Sequence, residues 1–70
     1  METKLHVLRK ELGVTQKHLA EISGVNIRRI QQYEYGQRDI NKAEAIVVFK
    51  LAMALKCDFS ELLEFSENSY

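Results

Sequence analysis

Residues 26–36 read NIRRIQQYEYG, and the reading of this stretch decides the reading of the whole chain. Asn26 can accept a hydrogen bond from an otherwise orphaned amide and Gly36 tolerates a left-handed backbone, so the two frame a short helix. Inside that frame Arg28 and Arg29 occupy the first turn. Amides exposed at a helix N-terminus carry partial positive charge, so carboxylates stabilise that end and each cation there costs about 0.3–1 kcal/mol. A local rule broken without visible compensation marks function. The compensation that fits is an anionic partner outside the chain.

On a helical wheel Ile30 and Tyr33 point one way, Arg28, Arg29 and Gln32 the other, with Gln31 and Tyr35 flanking. The first pair is core. The second face carries guanidinium and carboxamide groups, which suit bidentate bonds with guanine and adenine edges in the major groove. A plain solvated face is the competing reading. Such a face normally places carboxylates near the N-terminus, and this one places cations there.

Outward from this helix the chain has no repeats, low-complexity tracts or linker, and with no Pro and three Gly it reads as closely spaced helices. Leu5, Leu8 and Leu12 recur at helical spacing and predict a helix over 3–12 closed by Gly13. Thr15 caps a second helix over 16–22, with Leu19 and Ile22 turned inward and Ser23-Gly24 at its end. Asn41, with Glu44 three residues later, predicts a capping-box start to a fourth helix ending near Leu55. Asp58 with Glu61 starts a fifth. The fold class is all-α.

Seventy residues at 46% hydrophobic content make one small domain, which buries only about 60% of its unfolded surface. The single Cys57 rules out an internal disulfide, and charged residues after Met1 replace the apolar core of a signal peptide. No apolar run approaches the roughly 20 residues of a membrane span, so a cytoplasmic protein without membrane contact is expected. Net charge is zero, yet the average hides a split. Residues 1–42 hold eight Lys or Arg against five Asp or Glu, and the remainder holds two against five. The basic surface therefore lies in the same part of the chain as the helix with cations in its first turn.

Candidates for catalysis and metal binding are weak. Glu34 is one carboxylate without a matched partner, a poor enzyme signature. His6, His18 and Cys57 lack zinc-site spacing, and no Gly-rich phosphate cradle is present. Cys57 reads as a small packed hydrophobe. No enzyme activity, metal or cofactor is expected.

The segment VTQKHLAEISGVNIRRIQQYEYGQ resembles the Cro/C1-type, XRE-like helix-turn-helix of phage repressors and small bacterial regulators. Counting from Gln16, that family's apolar, Ala and turn-Gly positions fall on Leu19, Ala20, Gly24, Val25, Ile30 and Tyr33. The resemblance extends to LAMALKCDFSELL, which looks like the family's closing helix, turn and short helix. It implies a compact five-helix lambda-repressor-like DNA-binding domain over residues 1–70, with the motif at about 16–35 and a C-terminal tail at about 65–70. The implied function is a sequence-specific repressor that binds an operator in double-stranded DNA as a homodimer, at the nucleoid. By position, Ile27, Arg28, Arg29 and Gln32 would contact bases, Ile27 through a thymine methyl. Gln16 matches the family's phosphate-binding Gln; Lys17, Asn26, Tyr35, Gln37 and Arg38 are further backbone contacts. Arg9 and Glu34 match an ion pair that joins the first helix to the recognition helix. Two residues depart from the pattern: Ser23 stands where the family usually has an aliphatic residue, and Tyr35 replaces a small polar one.

The fourth helix carries a core stripe of Val47, Val48, Leu51, Ala52 and Leu55, while Ile46, Phe49 and Met53 recur on its opposite side. Either the fifth helix and tail cover this second stripe, or it is an exposed patch used for association. With Phe65 and Tyr70 it forms the candidate dimer interface. The alternative function is a protein-interaction module on the same scaffold, antitoxin-like in its partner binding, with DNA affinity secondary.

Overall fold

Thr3 opens the first helix, α1 (Lys4–Leu12), by accepting the His6 amide on its hydroxyl at 3.2 Å. This is the first element of a computed structural model that describes residues 2–64. Thr15 does the same for α2 (Gln16–Ser23), accepting from the His18 amide at 3.0 Å. Asn26 caps α3 (Ile27–Glu34) through a 2.8 Å bond from the Arg28 amide. A fourth helix, α4 (Ala45–Leu55), lies between two single 3₁₀ turns, Ile40–Lys42 and Phe59–Glu61. Among the described residues there is no strand, and no helix is long and apolar enough to cross a membrane.

Packing follows the sequence pattern closely. The α2 helix lies against both α3 and α4, and α1 touches α3 and α4. Leu5, Leu19, Ile30, Val48, Leu51 and Leu62 are almost completely out of water, joined by Tyr33 and Leu55. Each such side chain contributes about 1.5–3 kcal/mol by leaving water. Cys57 is half-buried against this core. Burial pushes its thiol pKa up, and the nearby Glu61 and Asp58 carboxylates push it the same way, so the thiolate needed for reactivity is disfavoured.

Three sequence expectations are corrected. The described residues hold four α-helices rather than five: Phe59–Glu61 is a single 3₁₀ turn, because Glu61, Leu62 and Leu63 donate to the carbonyls three residues back. Asn41 does not start α4. Its amide side chain instead brackets the backbone of Glu64, accepting from the Glu64 N–H at 2.7 Å and donating to the Glu64 carbonyl, while Glu44 occupies the N-cap without a side-chain bond. Ile22 is not core but 48% exposed. From buried Leu19 the inward arc runs about 40° to Ser23 and about 100° to Ala20, which leaves Ile22 about 60° off on the other side.

Candidate nucleic-acid interface

The helix α3 is the second helix of a two-helix unit with α2 and presents its N-terminal residues outward. Its Ile30 and Tyr33 are buried, with exposures of 0% and 3%, and these anchors fix which residues face outward. The turn from α2 depends on Gly24, whose φ of 76° is left-handed, and on the Ser23 hydroxyl, which accepts from the Val25 amide at 3.1 Å. The departure at Ser23 thus provides a polar brace for the turn. At the other end Gly36, with φ 75°, closes a Schellman turn: Gln37 N–H donates to the Gln32 carbonyl at 2.8 Å and Gly36 N–H to that of Tyr33 at 3.3 Å.

This frame gathers Asn26, Arg28, Arg29, Gln32 and Arg38 around one shallow depression. Three of its five lining residues are guanidinium groups and none is a carboxylate. The first turn of α3 holds no acidic residue. Cations and helix-end amides therefore point at the same space, an arrangement that attracts a polyanion. Ile27 is 37% exposed at the first helical position, and Arg28 is exposed beside it. Arg29 and Gln32 are half-buried. Lys17, Asn26, Tyr35, Gln37 and Arg38 are all exposed.

Behind the depression a buried cluster ties α3 to α1 and α2. The Glu34 side chain is 0% exposed and takes a 2.7 Å bond from Arg9 Nε. Arg9 Nη2 adds a second bond at 3.1 Å, and Nη1 donates to the Val14 carbonyl at 2.8 Å. Gln16 Nε2 donates to Glu34 Oε1 at 3.0 Å, and His6 Nδ1 lies 2.8 Å from the same oxygen. Burial alone would raise the Glu34 pKa, but the hydrogen bonds from Arg9, His6 and Gln16, with the Arg9 charge, outweigh it and hold the carboxyl below its usual range. No buried side-chain polar atom among the described residues lacks a partner.

The cluster redefines two residues. Gln16 is already committed: its amide nitrogen serves Glu34 and approaches the Tyr35 hydroxyl at 3.5 Å, and its oxygen accepts from Gln31 at 3.4 Å. His6 was absent from the sequence reading of this region, although it lies three residues before Arg9 and so shares a face of α1. That spacing was the available signal. Among the described residues no group of three or more His, Cys, Asp or Glu is placed to hold a metal.

The helix-turn-helix family model HTH_3 matches residues 5–62, spanning α1 through the second 3₁₀ turn. The chain belongs to the Cro/C1-type helix-turn-helix family. Comparison with curated proteins and with solved structures gives no match. As a member of this DNA-binding, transcription-regulating family, the chain places α2 and α3 as the helix-turn-helix, with α3 second. In that architecture the second helix is the one that enters the major groove.

Proposed function

We propose that this Cro/C1-type protein is a sequence-specific repressor that occupies an operator as a dimer, with α3 in the major groove, acting in the cytoplasm at the nucleoid. Residues 1–70 act as one helix-turn-helix domain with a tail at 65–70. The observation that carries the proposal is the carboxylate-free depression of Asn26, Arg28, Arg29, Gln32 and Arg38 along the outer side of α3. Arg28 and Gln32 read base edges, Ile27 meets a thymine methyl, and Arg29 reaches a base or a phosphate. Lys17, Asn26, Gln37 and the Tyr35 hydroxyl hold the sugar-phosphate backbone. Because the Gln16 carboxamide is held by Glu34 and Gln31, Gln16 contributes through its backbone amide at the α2 N-terminus.

A mobility shift against genomic fragments at low and moderate salt tests the reading. Retention that weakens with salt and survives competitor DNA for some fragments supports it, since phosphate contacts are salt-dependent and base contacts are not shared by all sequences. Arg28→Ala should leave helical content unchanged and relax base preference, at a cost of about 1–3 kcal/mol for the specific site. Recovery of the wild-type motif with unchanged affinity would show that the reading face is misplaced. The exposed stripe of Ile46, Phe49 and Met53 favours the protein-interaction alternative, which predicts at most weak retention, alike for all fragments and lost at moderate salt.

A further inference from the structure

We infer that Arg38 is a positioning residue that sets the base preference of Gln32. It holds the Gln32 side-chain oxygen, so Gln32 offers its amide N–H groups to the groove and selects an accepting base edge, guanine or thymine, over adenine. The inference rests on the proposal that α3 is the groove-reading helix.

The chain reaches this arrangement through Gly36. Its left-handed backbone, φ 75°, folds the segment after α3 back on itself, so that the Arg38 N–H also donates to the Gln32 carbonyl at 3.1 Å. Arg38 is thereby fixed by its own backbone beside the residue it orients. Its Nε then donates to Gln32 Oε1 at 3.1 Å. A guanidinium has donors only, so the amide end facing it must be the oxygen, and the orientation of the carboxamide follows from chemistry.

Adenine recognition needs both ends of the amide in one plane toward the base, the oxygen accepting from N6 and the nitrogen donating to N7. The oxygen keeps a second lone pair, but the guanidinium already bonded to it weakens it as an acceptor and crowds that end of the amide, so the nitrogen is the end that meets a base most freely. Nitrogen donors match guanine, whose O6 and N7 both accept, or thymine O4, whereas adenine offers N7 alone beside its own N6 donor. Asp39 and Glu64 line a neighbouring pocket with Arg38, yet the Arg38 Nε is bonded to Gln32. Only Nε serves Gln32, so the Nη groups are left for a phosphate, and one side chain couples backbone anchoring to base choice.

Selection from random duplexes with wild type, Arg38→Met, Gln32→Ala and the double variant tests this. Arg38 is exposed, and circular dichroism checks that each variant is folded. Gln32→Ala identifies the base pair Gln32 reads as the one whose preference it abolishes. Wild type is expected to select guanine or thymine there. Arg38→Met should move that one position toward adenine by roughly tenfold, with the other positions kept, and should produce no base shift when Gln32 is already Ala. The positioning role is overturned if Arg38→Met weakens all sequences evenly with the motif unchanged, or if wild type already selects adenine at that position. If wild type selects no motif at all, the groove-reading proposal falls, and this inference falls with it.

Discussion

Glu34 is a charged group with its side chain wholly removed from water, which is tolerated because both carboxylate oxygens accept hydrogen bonds and Arg9 supplies the opposite charge. Taking one partner from a buried ion pair typically costs about 3–5 kcal/mol, a large share of the stability of a domain this small. The lowered Glu34 pKa also fixes the direction of a pH effect. Its stabilisation is complete above about pH 4.3, the value of an unfolded glutamate, and is lost as the pH falls through the lower folded value. Glu34→Gln removes that dependence. The stability gap between wild type and Glu34→Gln, measured by urea unfolding at a series of pH values, should therefore shrink as the pH drops from 7 toward 3. A gap that stays constant over that range would remove the carboxylate charge from the account.

Legibility at the scale of elements depended on caps. The helices α1, α2 and α3 each begin at a Thr or Asn whose side chain accepts an amide and end at or beside a glycine with positive φ, and both signals are local in sequence. The start of α4 carries no local mark in the sequence. Its N-cap Glu44 makes no side-chain bond, and the Asn41 side chain is occupied by Glu64, twenty-three residues away. Its end near Leu55 was legible from the periodicity, although Lys56 rather than glycine takes the left-handed cap at φ 58°. The depression was legible from the periodicity of α3, but the Arg38–Gln32 bond was not, because it crosses a turn that no helical spacing describes. Lys56 supplies the prediction for this level. A non-glycine residue in that conformation costs about 1–2 kcal/mol, of which glycine returns about 0.4–1 kcal/mol through its freer unfolded chain. Lys56→Gly should thus stabilise the domain by about 0.5–1 kcal/mol, read as a higher urea midpoint at unchanged slope. An unchanged or lower midpoint would show that the Lys56 side chain contributes more than its backbone costs.

For the whole molecule the question is affinity. Net charge is zero, so bulk attraction to DNA is weak, and one recognition helix reads only a few base pairs. In the proposed dimer, two copies over half-sites about 34 Å apart would supply the missing contacts. The described surface offers one apolar stripe suited to that pairing: Ile46, Phe49 and Met53 on α4 are 52%, 51% and 64% exposed, opposite the buried face of Val48, Leu51 and Leu55. Phe65 and Tyr70, the other residues assigned to the interface, lie outside the described residues. Contiguous exposed apolar surface of this kind marks association sites more often than idle surface. Phe49→Asp therefore tests whether the α4 stripe serves the α3 site. A charge in the centre of a dimer interface should yield a folded monomer by sedimentation and circular dichroism, with much weaker operator binding and an intact base preference in whatever binding remains. If the stripe is instead covered by the chain's own tail, the same substitution should lower helical content and melting temperature. A Phe49→Asp protein that stays dimeric and fully active would exclude the stripe from assembly and from the core alike, and the second copy would then have to meet the first through a different face.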